Sequence, residues 1–174
     1  MRISVYLASL PEEKAAREAL LKKAAAEHSK TTADFGRILR TPQGKPYFPE
    51  APELHFSVSH SGAYWACAFS DAPVGLDIQM HQHNSYERLA NRFFHPEEAA
   101  YLAAKAFSPE AFFRIWTAKE SYLKRTGEGL PGGLSTFSVL SPLPDGAEFT
   151  YLAAPEGYTM CLCGKKGKPA LIHI

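Results

Sequence analysis

The residues of this chain best suited to chemistry are two carboxylates and a few cations. Glu120 lies in the stretch from Phe112 to Gly127, where Phe113, Trp116, Glu120 and Leu123 recur at three- and four-residue steps and so share one helical face. A carboxylate within an apolar stripe needs a partner, because an unpaired buried charge is strongly disfavoured. Lys124 follows one turn later, at the i, i+4 spacing of a helix ion pair worth about 0.2–0.5 kcal/mol. Two readings stay open at this point. The pair is either an ordinary surface bridge, or a carboxylate holding a cation beside a lysine that touches that cation's anionic partner.

A second acid sits on a strand. In Val74-Gly75-Leu76-Asp77-Ile78-Gln79 the apolar and polar residues alternate, so Asp77 and Gln79 share a face one pleat repeat apart. One carboxylate with an amide, waters and a substrate phosphate is a common way to hold magnesium, whereas an edge strand with its polar face in water is the plainer reading. Ser59-His60-Ser61 closes the alternating run His55–Ser61 ahead of Gly62, and such hydroxyl and imidazole clusters suit phosphate; a capped turn with a surface histidine is the alternative. Ser59 and His60 are not a nucleophile–base pair, since strand neighbours point to opposite faces. Gly44-Lys45-Pro46 is turn chemistry around one lysine and lacks the phosphate-loop pattern. Arg17 reads first as a boundary residue of an amphipathic helix, and His81 and His83 as loop histidines.

The elements that must position these residues are readable in outline. Ser108 as cap, Pro109 at the first helical position and Gly127 as terminator bound the helix carrying Glu120. Strands are expected at 3–7, 55–61, 63–69 and 74–79, a long helix from Pro11 to about Lys30, and helical segments at 86–94 and 97–106. Residues 127–133 form a Gly-rich loop. Strands at 136–140, 148–153 and 158–163 close the chain, and Lys165-Lys166-Gly167-Lys168 is a solvated basic run. A faint echo links Phe56-Ser57-Val58 and Tyr64-Trp65-Ala66-Cys67 to Phe137-Ser138-Val139 and Tyr158-Thr159-Met160-Cys161, which suggests two related halves, each a helix on antiparallel strands.

At 174 residues, 45% of them hydrophobic, the chain can fill one substantial core or two halves sharing one. A net charge of +1 gives no global field for nucleic acid, so anion binding must be local. Three cysteines without a Cys-x-x-Cys pair argue against a zinc site or disulfide framework. With neither a signal-type N-terminus nor a membrane-length apolar run, a soluble cytoplasmic protein is expected.

Gly44-Lys45-Pro46, then Phe56-Ser57-Val58-Ser59-His60-Ser61, then Val74 to Gln79, then Trp116-Thr117-Ala118-Lys119-Glu120-Ser121-Tyr122-Leu123-Lys124 with Gly127-Glu128-Gly129-Leu130, occur in that order. This set, spanning Gly44 to Val139, resembles the 4′-phosphopantetheinyl transferases of the surfactin-synthetase-activating type. The resemblance implies an α/β (α+β) monomer of two pseudo-twofold-related halves, here 1–75 and 76–174, with coenzyme A and magnesium between them. It implies transfer of phosphopantetheine from coenzyme A to a serine of an apo acyl or peptidyl carrier protein, releasing adenosine 3′,5′-bisphosphate. By the same resemblance Asp77 and Glu120 are the magnesium ligands, with Gln79, where many members have Glu, leaving an amide or water as third ligand; Asp77, Glu120 and Lys124 are the expected catalytic residues, Glu120 also able to accept the serine's proton directly or through water. Lys124 contacts the pyrophosphate; Lys45, Pro46, Ser59 and His60 contact the nucleotide side. The region after Gly127 docks the carrier. Members often carry a basic segment ahead of the position of Arg17, so Arg17 is expected to meet the 3′-phosphate alone. Lys119 is expected to supply supporting charge. The competing function is a coenzyme A or carrier-binding module without turnover, and the blandest is a structural domain with a surface Glu-Lys bridge.

Overall fold

The structure, a computed structural model, describes residues 2–31, 35–127, 133–143 and 145–174. Its first strand, β1 (Ile3–Ser9), is buried on both faces. Tyr6 and Ala8 point into one core with Leu21, Ala24 and Ala25 of α1 (Lys14–Ser29), while Ile3, Val5 and Leu7 point into another with Val74, Leu76, Ile78, Met160 and Leu162. Two-residue alternation thus lets one strand serve two cores. Helix α1 begins at Lys14 rather than Pro11, because Arg17 folds back to donate to the carbonyls of Pro11 (2.8 Å) and Glu12 (2.7 Å) and holds that segment outside the helix.

A short hairpin follows, β2 (Leu39–Arg40) and β3 (Pro46–Tyr47), carrying the lysine turn. Then come β4 (His55–Ser61), β5 (Tyr64–Ser70) and β6 (Gly75–Met80). Three helices succeed them: α2 (Tyr86–Phe93), α3 (Pro96–Ala103) and α4 (Pro109–Thr126). Strands β7 (Glu148–Leu152), β8 (Tyr158–Gly164) and β9 (Ala170–His173) finish the fold. One sheet has the order β4-β5-β1-β9 and the other β6-β8-β7. All pairings are antiparallel except β1 with β9, which is parallel. The expected halves therefore share the first sheet, since β9 comes from the second of them. Helix α1 covers the outer face of the first sheet, and α4 packs on β6 and β8.

Between β4 and β6 there is no backbone ladder. The edge of β6 instead donates the N–H groups of Leu76, Ile78 and Met80 to the hydroxyls of Ser57 (3.0 Å), Ser59 (3.2 Å) and Ser61 (3.0 Å). Strand edges must have their polar groups satisfied when buried, and here alternate serines of one strand do it for the other.

Helix α4 has the ends its sequence predicts. The Ala111 N–H donates to Ser108 Oγ at 3.3 Å, Pro109 is its first residue, and Gly127 closes it at φ 69°. Its burial differs from expectation. Trp116, Glu120 and Leu123 are only half-buried, whereas Ala118, Ser121 and Arg125 face the sheet and Lys119 is 0% exposed. The helix is covered on more than one side, so a single apolar stripe does not describe it. Lys119 is paired with Glu98, also 0% exposed, at 2.8 Å, and donates to the carbonyls of Leu134 (2.8 Å) and Phe137 (2.6 Å). Glu98 in turn accepts from the N–H groups of His95 and Val139.

That network explains why the strand expected at 136–140 is absent. Leu134–Thr136 is one 3-10 turn, and backbone groups of the segment after it are met by Lys119 and Glu98 rather than by a neighbouring strand. The echo drawn between Phe56-Ser57-Val58 and Phe137-Ser138-Val139 fails with it. The loop read at 127–133 falls largely on 128–132, outside the described residues. No helix among the described residues is long and apolar enough to cross a membrane.

Candidate active site

The site is set by how closely α4 approaches β6. A Cβ on Gly75 would stand 1.9 Å from the Ser121 carbonyl oxygen and 2.5 Å from the Arg125 amide nitrogen, so only glycine lets the helix backbone lie on the strand. Two residues along β6 is Asp77; flanking Ser121 and Arg125 on α4 are Glu120 and Lys124. One short contact therefore brings strand acid, helix acid and helix lysine together. Gly75 carries no chemistry of its own and its role is not evident from the sequence motif. The signal for it is a glycine inside an alternating strand, which often marks a close backbone approach.

Asp77 is 4% exposed. Its Oδ1 accepts from Lys124 Nζ at 2.7 Å and from Ser59 Oγ at 2.8 Å, and Lys124 also reaches Ser59 Oγ at 2.9 Å. The lysine thus pairs with the strand acid rather than forming a bridge with Glu120. Asp77 Oδ2 is buried without a hydrogen-bond partner among the described residues. Burial pushes the Asp77 carboxyl above its ordinary pKa, against the pull of Lys124 and Ser59. Glu120 is raised first by burial and then by the charge of Asp77, with Lys124 opposing. Two carboxylates in one electrostatic neighbourhood, one with an unpartnered oxygen, fit a divalent cation. No group of three or more His, Cys, Asp or Glu side chains suited to a metal occurs among the described residues, so any ion here relies on two acids. Gln79 lies two residues beyond Asp77 on the same strand and is half-buried.

On the other side of Lys124 opens a cleft of about 600 Å³ between α1, the β2–β3 hairpin, β4 and the end of α4. Phe56, Val58, Trp65 and Leu21 contribute apolar surface, and Lys14, Arg17, Arg40, Lys45, Lys124 and His60 contribute polar ends. Glu18 is the only acid among the described lining residues, and Lys22 pairs with it at 3.1 Å. The chain is nearly neutral, yet this cleft is strongly cationic. Arg17, Lys45, Pro46 and His60 meet there. Ser59 does not line the cleft: strand alternation turns its hydroxyl to the seam with β6. Sequence reasoning missed Lys14 and Arg40, which lie 26 residues apart and meet only because α1 and the hairpin line one cleft. Lys45 donates to the Arg125 carbonyl at the end of α4, and burial together with Arg125 lowers its pKa. Its chain lies against Gly127, whose positive φ and lack of a Cβ admit it.

His81 is packed rather than solvated: its ring stacks on Phe113 at 4.7 Å and bonds Thr159 Oγ1 at 2.8 Å. Taken together, the arrangement can hold a polyanion in the cleft with its charge reaching Lys124, and a divalent cation between Asp77 and Glu120.

The model of one protein family, the 4′-phosphopantetheinyl transferase superfamily, matches residues 73–169. The chain belongs to this superfamily. The match covers Gly75, Asp77, Glu120 and Lys124, while the remaining cations of the cleft precede it. Among relatives, the chain is 37% identical over 133 residues to a 4′-phosphopantetheinyl transferase of Bacillus subtilis, covering 69% of this chain and 59% of that protein. It is 38% identical over 133 residues to 4′-phosphopantetheinyl transferase Sfp of Bacillus subtilis strain 168, with the same coverage. It is 41% identical over 98 residues to 4′-phosphopantetheinyl transferase psf-1 of Bacillus pumilus, covering 55% and 42%. This superfamily member thus spans 59% or less of the length of those relatives.

Proposed function

We propose that the chain transfers the 4′-phosphopantetheine arm of coenzyme A to a serine hydroxyl of an apo acyl or peptidyl carrier protein, releasing adenosine 3′,5′-bisphosphate. The observation that carries this reading is the junction at Lys124, with a cationic cleft on one side and, on the other, a buried acid whose Oδ2 has no partner. Coenzyme A is long and ends in phosphates at its nucleotide end. A cleft with an apolar floor and Lys14, Arg17, Arg40, Lys45 with Pro46, and His60 around it suits that end.

The reaction breaks the bond between the pantetheine-side phosphorus and the oxygen of the bisphosphate, and forms one from that phosphorus to the carrier serine oxygen. Such a transfer asks a protein mainly for positioning and charge neutralisation. Asp77 through Oδ2, and Glu120, would hold magnesium, with the Gln79 amide or water beside them; bound there, the ion neutralises pyrophosphate charge. Lys124 neutralises charge on the departing bisphosphate from its place at the cleft wall. Glu120 accepts the serine proton, directly or through water. The family's two-halves relation is part of the same reading, supported by a helix packed on each sheet. So is action as a monomer in the cytoplasm, supported by a cleft whose described lining residues all come from one chain and by three unpaired buried cysteines.

Mass spectrometry of an apo carrier incubated with coenzyme A, magnesium and this protein tests the proposal. A gain of one phosphopantetheine arm is expected, lost in Asp77→Ala and Glu120→Ala and slowed less in Gln79→Ala. Coenzyme A binding without a mass gain on any of a panel of carriers would make the chain a binding module instead.

A further inference from the structure

Ser57, Ser59 and Ser61 perform one structural task three times, each accepting a backbone N–H from β6. Only the middle serine also touches charge. A serine hydroxyl has one donor and two lone pairs. At Ser59 both lone pairs are used, by the N–H of Ile78 (3.2 Å) and by Lys124 Nζ (2.9 Å), so its single proton goes to Asp77 Oδ1 (2.8 Å). With Lys124 donating to that same oxygen, Oδ1 is fully engaged and Oδ2 is left without a partner. Ser59 is 5% exposed, so its hydroxyl is largely shielded from solvent.

We propose that Ser59 is a positioning residue: its hydroxyl, oriented by Ile78 and Lys124, fixes the Asp77 carboxylate so that one oxygen is held by the protein and the other is presented to a divalent cation. This rests on the reading of Asp77 as a metal ligand, and it assigns the Ser59 hydroxyl to the carboxylate rather than to coenzyme A. The neighbouring serines are built-in controls, because each satisfies the same kind of backbone group and neither bonds Asp77.

The test is Mn²⁺ titration of the whole chain, followed by electron paramagnetic resonance without coenzyme A, alongside melting temperature. Ser57→Ala, Ser59→Ala and Ser61→Ala each strip the acceptor from one buried N–H and are expected to lower the melting temperature comparably. Ser59→Ala alone is expected to weaken Mn²⁺ by about 10–100-fold, the usual loss when the partner of a metal ligand is removed. Ser59→Thr, which keeps the hydroxyl, is expected to recover most of it. If Ser59→Ala does not fold, Ser59→Cys replaces the hydroxyl by a weak S–H donor of similar size, and the same weakening is expected. Mn²⁺ affinity that is unchanged in Ser59→Ala, or weakened equally in all three serine variants, overturns the proposal while leaving Asp77 as a ligand. Failure of the parent chain to bind Mn²⁺ overturns both.

Discussion

Replacing Gly75 by alanine adds one methyl group at the point where α4 rests on β6. The new Cβ would sit 1.9 Å from the Ser121 carbonyl oxygen, against 3.0–3.4 Å for even a tight contact, and it would also meet Arg125 N at 2.5 Å and Arg125 Cβ at 2.9 Å. All three lie on or next to helix backbone, so no side chain can swing aside. Strand and helix must separate by about 1–1.5 Å, which would stretch the 2.7 Å Lys124–Asp77 contact toward 4 Å, beyond hydrogen-bond range. Overpacking of this kind costs about 1–3 kcal/mol. In a chain of this size each kcal/mol lowers the melting temperature by about 2–4 °C, so a fall of about 2–12 °C is expected by calorimetry. A displacement of about 1 Å at a reacting centre costs on the order of 100-fold in rate. Phosphopantetheine transfer measured well below the variant's melting point should therefore drop by about that factor in folded protein. Gly75→Ala with parental stability and parental transfer would show that the close approach does not set the site. Lost stability with intact transfer would show that the acids tolerate the shift.

Three other outcomes follow from the same geometry. Lys119→Met leaves Glu98 charged and buried and should cost about 3–5 kcal/mol in urea unfolding, whereas pairing it with Glu98→Gln should recover much of that loss; a single variant within about 1 kcal/mol of the parent would refute the buried pair as a stabilising unit. Arg40→Ala should raise the coenzyme A dissociation constant about 10-fold in calorimetry with little change in kcat, and an unchanged constant would remove Arg40 from the binding surface. His28, stacked on Phe69 and bonded to Ser4 Oγ, has its pKa lowered below 6.5 by burial and then by Arg2. The unfolded chain therefore takes up the proton first, and stability present above about pH 6.5 should fall as pH drops toward the folded-state pKa. Asp77 and Glu120, with raised pKa values, act in the opposite sense, so the informative comparison is with His28→Gln, whose stability should decline less between about pH 7 and pH 5.5. Equal slopes would assign the pH dependence elsewhere.

Much of the site was legible because its signals are local. The cap, the first-turn proline and the terminal glycine of α4 act within a few residues of one another, and the alternation that puts Asp77 and Gln79 on one face of β6 needs no tertiary knowledge. What escaped the sequence depends on partners far along the chain. Lys119 looked one step off the important face, yet its charge is answered by Glu98, twenty-one positions earlier; its other donors go to the carbonyls of Leu134 and Phe137 while Glu98 accepts the Val139 N–H, in place of the strand pairing expected there. The hydroxyl run of β4 was visible as a cluster. That alternate members would serve the N–H groups of β6 depends on which edges the two sheets bring together, and no periodicity encodes that. The charge at Lys14 and Arg40 was likewise present and unreadable, because only the tertiary fold puts the first helix and the hairpin on walls of the same cleft.

Strand β9 pairs with β1 across almost the whole described chain, Ser4 beside Ala170 and Leu7 beside His173. During synthesis the layer beneath the cleft can gather β1, β4 and β5 early, but its outer border stays bare until the final residues of β9 leave the ribosome. Among the described strand pairings this one spans the greatest sequence separation and so carries the largest closure entropy. A nascent chain stalled before residue 170 would carry its cleft wall on a sheet with an open flank, exposed to pairing with other chains.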